Sequence, residues 1–571
     1  MSAKKTPWAF LDNYRGAGHN GVSFGGQWPT LPEMFKISVD RYGERACFSV
    51  FEPNRISLSY KESLERVQAV ARWLHSKGIK KDDKIAVTGK NSPEWAIAYL
   101  GILFAGAVVV PIDYQLKNEE TDLLLKTAQV KILFVDEEKH AYYRKNAGDL
   151  AEIVSLRRYT GQYIYELDGP VEAIDEISEN DMAAILFTSG TTGIPKGVML
   201  THKNLSSDCY QAQGNLVILH TDVFYAILPI HHAYTMLAVL IEAISVGAEI
   251  LFGKKMVTPI MLKELKEGKV TMLLGVPLLF NKLLAGILRG IKAKGKLVYG
   301  IMSFLMMFSG LIKKTFGVNP GKKFFHAVLD KASLATIRIC ICGGGPLAPS
   351  VFRKFNQLGI DFVQGYGLTE TSPIINLNPI EHYKETSVGK IVPGVDMKIL
   401  DPNEQGIGEI ILKGSMVMKG YFNMPEETAE VFTPDGYFKT GDLGYLDDED
   451  YLYLTGRAKN VIVTDGGKNV YPEEIENEFQ LYDEIDQILV RGFVSDKKMK
   501  TESIEALIYP NPEMKDSSGG DSAKAELKTR LDRIIAEVNL RLLPYQKITR
   551  LVILDEPMEM TTTKKIKRNT V

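Results

Sequence analysis

The chain has 571 residues, 45% hydrophobic and 24% charged, with a formal net charge of −2. That length suits roughly three to four domains, and the composition suits folded cores rather than a disordered or fibrous chain. The near-zero charge excludes a global pull toward nucleic acid, and the four cysteines form no C-x-x-C pair or His/Cys cluster, so a reducing compartment is expected and a zinc site is not.

The opening, MSAKKTPWAFLDNYRG, has no apolar core, so no signal peptide is expected. From about 30 to 180 the chain alternates helix-like and strand-like patterns. SLERVQAVARWLHSKG (Ser63 to Gly78) predicts an amphipathic helix ending at its glycine. KIAVTG and GAVVVPID predict buried strands, with EWAIAYLGILFAGA between them as a helix. That βαβ rhythm implies a parallel sheet with right-handed crossovers. The rhythm recurs in HTDVFYAILPI, TMLAVLIEAISVG and AEILF, and again in RICIC followed by a glycine turn and APSVFRKFNQLG.

AAILFTSGTTGIPKGVMLTH (Ala183 to His202) lies within this rhythm. A strand-like run breaks into Ser, Gly and Thr and then reaches Lys196. Such a loop offers backbone N–H groups, hydroxyls and a cation together, which is what a polyphosphate needs. It is not the G-x-x-x-x-G-K-[ST] loop, since Lys196 lies between Pro195 and Gly197. Taken alone, a Ser/Gly/Thr surface loop is the commoner case. Its place after a strand, where doubly wound sheets bind ligands, favours phosphate.

Between Glu267 and Asp330 there is no acidic residue, while Lys269, Lys282, Arg289, Lys292, Lys294, Lys296, Lys313, Lys314, Lys322 and Lys323 all fall there. Inside that span LVYGIMSFLMMFSGLI (Leu297 to Ile312) is uncharged. The run is shorter than the ~20 apolar residues of a spanning helix. Two readings remain: a segment lying on an anionic membrane surface, or a buried core helix with solvated basic flanks.

Three more glycine-rich stretches follow. CGGGPLAP (Cys342 to Pro349) would let a flat ligand approach the backbone, or simply make a packing turn. VQGYGLTETSP (Val363 to Pro373) brings a tyrosine able to lie against a ring and a carboxylate able to hold Mg²⁺ on phosphates, or else forms a turn around a core tyrosine. After about Val388 short strands and Gly/Asp turns suggest an antiparallel part. There YFKTGDLGYLDDEDYLYLTGRAKN contains Asp442, able to accept both hydroxyls of a ribose, and Arg457, able to meet ribose or phosphate. Beyond Arg457 a smaller α+β pattern runs to the basic tail TTTKKIKRNTV. NPEMKDSSGGDS (Asn511 to Ser522) reads as a mobile polar loop.

FTSGTTGIPKG, GGGPLAP, QGYGLTETSP, YFKTGDLG, GRAKN and TKKIKR occur in this order from about Ser59 to Arg568. Together they resemble the AMP-forming acyl-CoA synthetases of the adenylating superfamily, which includes luciferases and peptide-synthetase adenylation domains. GGKNVYPEEIE and an insert at about 285–330 resemble the long-chain fatty acid subgroup. The resemblance implies an α/β fold. A large N-terminal domain (1–457) has parallel doubly wound sheets plus a small β-rich subdomain, and a smaller mobile α+β C-terminal domain spans 458–571.

The implied reaction joins a fatty acid to CoA, using ATP and Mg²⁺, through an acyl-adenylate. The resemblance assigns Thr188, Ser189, Gly190, Thr191, Thr192, Gly193 and Lys196 to the β- and γ-phosphates, with Thr191 and Glu370 as Mg²⁺ ligands. Tyr366 and Gly344 border the adenine, Gly345, Gly365, Gly367 and Thr369 belong to the same cofactor-binding set, and Asp442 and Arg457 hold the ribose. Lys565 matches the catalytic lysine, although Lys564 stands where the family usually has glycine. Lys459 matches the hinge, and Gly467 the passage of CoA, where an ordinary turn would read the same. His232 matches a position near the carboxylate, where a structural histidine is the commoner case. The implied partners are a fatty acid, CoA or an acyl carrier protein, and an anionic membrane surface from the cytoplasmic side. An acyl-ACP or acyl-AMP ligase is the near alternative. A non-catalytic membrane-bound acyl or nucleotide binder is the alternative from another class.

Overall fold

The computed structural model describes residues 28–158, 161–171, 176–188, 195–254, 257–464, 468–496, 501–512, 514, 521–560 and 566–568. Local sequence starts its helices where capping rules place them. Ser59 and Glu62 form a capping box that opens the helix Tyr60–Ser76. Ser92 caps Pro93–Phe104, with Pro93 in the first turn, where its missing N–H costs nothing.

Two large sheets carry the N-terminal part. In the seven-stranded sheet, Glu152–Ser155, Ile132–Val135, Lys84–Thr88, Val108–Ile112 and Met182–Thr188 run parallel. Lys196–Thr201 then turns back antiparallel, and Gly420–Tyr421 adds an antiparallel edge. The thirteen-stranded sheet has a parallel run through Ala46–Phe51, Glu249–Phe252, Val223–Ala226, Met272–Gly275, Ile339–Cys342 and Asp361–Gly367. These strands are mostly apolar and largely buried along their length because both faces are covered.

The β-rich part expected after Val388 is no separate sheet. Ile374–Leu377 pairs antiparallel with Asp361–Gly367, and the remaining antiparallel strands continue the same thirteen-stranded sheet. After Asn460 a three-stranded sheet packs on the helix Asp521–Asn539 around its own core of Val490, Ile504, Leu531 and Val538. Most of the loop at 511–522 lies outside the described residues.

The acid-free segment forms two helices, Pro277–Lys292 and Lys296–Phe316. The second has 21 residues, longer than its uncharged run, because lysines extend both ends. By length and composition it could cross a membrane, yet it is no core helix: only 17% of its most apolar stretch is buried. Two of the ten basic residues do not flank it as solvated charges. Lys313 is buried and donates to Asp361 at 2.7 Å and Asn356 at 2.6 Å. Lys322 reaches inward to the Ile337 carbonyl at 2.9 Å.

A π-helical turn, Met236–Ile241, leads into Glu242, which is buried beside Asp208 and Cys209 and accepts a hydrogen bond from the Gln213 amide. Burial pushes the Glu242 carboxyl up to about 8. The unfolded chain releases that proton near pH 4.3, so the folded state binds more protons between about 4.3 and 8, and stability falls as pH rises through this window. Glu242→Gln is expected to raise Tm at pH 8.5, by a stabilisation of order 1–4 kcal/mol, and to change little at pH 5. Thermal denaturation at the two pH values checks this.

Candidate functional site

Several candidate residues follow the ends of parallel strands: the loop after Met182–Thr188, the histidines after Val223–Ala226, the glycine turn after Ile339–Cys342 and Glu370 after Asp361–Gly367. Thr188 ends Met182–Thr188 and pairs with Lys196 across the start of the returning strand. Ser189, Gly190, Thr191, Thr192 and Gly193 lie outside the described residues.

Lys196 stands over the ring of Tyr421, its Nζ 4.7 Å from the centroid. Tyr421 in turn donates its hydroxyl to Glu370 Oε1 at 3.0 Å. The arrangement follows from the edge strand Gly420–Tyr421, which pairs Tyr421 with Val198, and from Met418 N–H donating to the Glu370 carbonyl at 2.8 Å. Glu370 is half-buried, and among the described residues its side chain takes only that one hydrogen bond. A carboxylate with spare acceptor capacity suits a hard cation such as Mg²⁺. Sequence reasoning missed Tyr421, since GYFN carries no turn or ligand signature and lies 51 residues from Glu370.

A second group forms at the junction between the parallel and antiparallel halves. Tyr366 donates its hydroxyl to Asp442 Oδ2 at 2.6 Å, and Arg457 Nε lies 2.8 Å from Asp442 Oδ1. Register brings the last pair together, because Asp442 and Arg457 are directly opposed on neighbouring strands. Burial and the Asp442 carboxylate push the Tyr366 phenol well above its ordinary range, so it stays a donor. Lys459 is exposed in the short turn after Arg457.

The glycines divide by cause. Gly344 has φ +77°, and a Cβ there would come no nearer than 3.6 Å to Val276, so its backbone conformation rather than crowding calls for glycine. Gly345 is similarly open, with Pro277 at 3.5 Å. Gly367 has a packing reason: a Cβ would sit 1.6 Å from the Pro373 carbonyl oxygen. Gly365 is tight against Leu377 and Asn376. Thr369 starts the short 3-10 turn that carries Glu370.

His231 and His232 follow the strand Val223–Ala226, with ring centroids 4.2 Å apart. His231 is buried, its Nε2 3.6 Å from Asp113 Oδ1, while His232 is half-buried. Asn91 fixes this corner, donating to the Ala226 and Leu228 carbonyls at 2.9 and 2.7 Å and accepting from Ile230 N–H at 3.0 Å. Asn91 follows a strand of the other sheet, so it ties the two sheets at the site. Sequence reasoning missed it. The Gln480 side chain, from the C-terminal part, bonds Ala348 N–H at 2.8 Å and the Pro346 carbonyl at 2.9 Å, beside the glycine turn. Lys565, Lys564 and Gly467 lie outside the described residues.

The family model described as AMP-binding enzyme matches residues 35–422. The chain is 29% identical over 551 residues to a long-chain-fatty-acid–CoA ligase, FadD15, of Mycobacterium bovis, covering 89% of each. It is also 29% identical over 488 residues to a feruloyl-CoA synthase of Amycolatopsis, covering 83% of this chain and 88% of that one. Among solved structures, ATP-bound MatB from Rhodopseudomonas palustris superposes with a TM-score of 0.73 at 25% identity, covering 95% of this chain and 98% of that one. With a family match over residues 35–422, more than half of its length, the chain belongs to the AMP-binding enzymes.

Proposed function

We propose that the chain is an AMP-forming long-chain fatty acid–CoA ligase that uses ATP, Mg²⁺ and CoA and works in the cytoplasm against the inner face of a membrane. The observation that carries the reading is a pair of groups linked through one segment, since Tyr366 lies near the end of the strand Asp361–Gly367 and Glu370 follows in the next turn. Lys196 and Glu370 meet through Tyr421, and Asp442 joins Tyr366 and Arg457. One group suits polyphosphate and the other a ribose. The match to FadD15 along 89% of both chains supports fatty acids. The equal identity to a feruloyl-CoA synthase keeps an aromatic acid as the competing substrate class.

In the first half-reaction a carboxylate oxygen attacks the α-phosphorus of ATP, and the bond to pyrophosphate breaks. The work is charge neutralisation and positioning. Lys196 and the 188–194 loop hold the β- and γ-phosphates. Glu370 and Thr191 are the residues that would hold Mg²⁺, which when bound stabilises the departing pyrophosphate. The open backbone at Gly344 and Gly345 borders the adenine, and Asp442 accepts the ribose hydroxyls with Arg457 beside it. Lys565 bridges the carboxylate and the α-phosphate, and His232 lies near the carboxylate.

In the second half-reaction the CoA thiol attacks the acyl carbon, and AMP leaves. The thiol needs the place Lys565 had filled, so residues 458–571 rotate about Lys459 and CoA passes Gly467. An acyl carrier protein in place of CoA is the alternative acceptor.

Pyrophosphate release measured over fatty acids of graded length and over feruloyl-type acids, with CoA or carrier protein as acceptor, tests the proposal. Preference for long chains with CoA is expected. Faster turnover of the aromatic acid would overturn the substrate class. Tyr421→Phe keeps the ring beneath Lys196 and removes the hydroxyl on Glu370. It is expected to cost about 1 kcal/mol, roughly fivefold, in kcat/KM for ATP. Steady-state kinetics with varied ATP reads this.

A further inference from the structure

The helix Lys296–Phe316 is amphipathic the wrong way round for a soluble protein. Its buried side carries Ser309 and Lys313, with Gly310 set against the Gln357 side chain. Its outward side carries Leu297, Ile301, Phe304, Phe308 and Leu311, which recur every three or four residues and so form one stripe. Leu297 is 79% exposed, Phe304 61% and Leu311 62%. Isolated exposed apolar side chains are ordinary, but a continuous stripe along a whole helix marks a docking face.

The surroundings say what docks there. Lys292, Lys294, Lys296 and Lys314 are exposed at the two ends of this helix, Lys282 and Arg289 are exposed on the preceding helix, and none of the six forms an ion pair among the described residues. No acidic residue lies between Glu267 and Asp330 to oppose them. An apolar stripe bordered by unpaired cations complements a surface that is negative outside and hydrocarbon within. We infer that this helix lies flat in the interface of an anionic bilayer, with the Leu297–Leu311 stripe among the acyl chains and the surrounding lysines and arginine at the headgroups.

The helix is long and apolar enough to span, but its fastening to the protein excludes that orientation. Lys313 is tied to Asp361 at the start of a central strand and to Asn356 on the helix Pro349–Gln357. Met306 and Ser309 are buried along the same side. A helix held to the globular body by Met306, Ser309 and Lys313 cannot stand across a membrane.

One helix connects the glycine turn to the basic cluster. The helix Pro277–Lys292 begins beside Gly345 and ends in the basic cluster, and Pro349–Gln357 begins just after the glycine turn. A fatty acid dissolved in the bilayer would thus meet the enzyme at the far end of Pro277–Lys292 from the glycine turn. This consequence rests on the fatty acid reading of the function, whereas membrane binding itself does not.

The test is sedimentation of the full chain, without ATP, acid or CoA, on vesicles of phosphatidylcholine with or without 30% phosphatidylserine. Two variants accompany it: Phe304→Glu/Phe308→Glu, and Lys292→Glu/Lys294→Glu/Lys296→Glu. All these side chains are exposed, and Lys313 is left intact because its loss would disturb the fold. Wild type is expected to bind the anionic vesicles at low salt and to leave them in 1 M salt. Each variant is expected to bind at least tenfold more weakly, while pyrophosphate release with a soluble short-chain acid stays unchanged. No binding by wild type, or equal binding by all three, would overturn the inference. So would release only by detergent, which means spanning. Size-exclusion chromatography showing a wild-type dimer that Phe304→Glu/Phe308→Glu dissociates would assign the stripe to a second copy of the chain. Failure of the ligase reading alone would leave vesicle binding intact and abolish pyrophosphate release with every acid.

Discussion

Lys565→Ala is expected to lower adenylate formation by about 10²–10³, near 3–4 kcal/mol, while thioester formation from supplied acyl-adenylate largely survives. The first half-reaction gathers negative charge from a carboxylate and the α-phosphate at one point, and a preorganised ammonium there is worth most in the transition state. The second half-reaction needs a thiol at that point instead, so the ammonium belongs to only one of the two arrangements. Pyrophosphate exchange reads the first half and acyl-CoA formation from synthetic adenylate reads the second. Equal loss of both would remove Lys565 from its assigned role. The same pair of measurements on Lys564→Ala checks the register, since two lysines stand side by side in TTTKKIKR.

Glu370→Ala is expected to cost about 2–4 kcal/mol in kcat/KM, the scale of one preorganised electrostatic group. The structure adds a second consequence. Tyr421 donates to Glu370 Oε1, so the alanine leaves a hydroxyl unpaired beside Lys196. Glu370→Gln separates the two effects, because it keeps an acceptor for Tyr421 and removes only the charge. If the carboxylate holds Mg²⁺, both variants shift the Mg²⁺ dependence of the rate to higher concentration, and the glutamine recovers only the smaller part of the loss. Wild-type Mg²⁺ dependence in both would rule Glu370 out as the ligand.

Many parts of the candidate site could be read from sequence because they are local. A glycine turn, a capped helix or a run of apolar residues is set by neighbours in the chain, so GGGPLAP, QGYGLTET and TGDLG could each be read where they stand. Their order along the chain supplied the family resemblance, which the match over residues 35–422 then supported. The βαβ rhythm was legible for the same reason: period and turn chemistry are short-range.

What sequence alone determined, then, is the set of elements, their α/β class and the order of the ligand loops. Tertiary structure decided the rest. Only sheet pairing brings Tyr421 between Lys196 and Glu370, and only strand register sets Arg457 against Asp442. Asn91 acts on a loop more than 130 residues away, tying two sheets whose contact no local pattern encodes. The antiparallel strands join the parallel sheet rather than forming a separate one because Ile374–Leu377 folds back onto Asp361–Gly367. The helix Lys296–Phe316 is the sharpest case. Its periodicity reveals a stripe but not which side faces the body, since a burial rule would have turned the phenylalanines inward. The partners of Lys313 decide it: a buried ammonium is costly unless paired, Asp361 and Asn356 lie on one side only, and the apolar face is left pointing out.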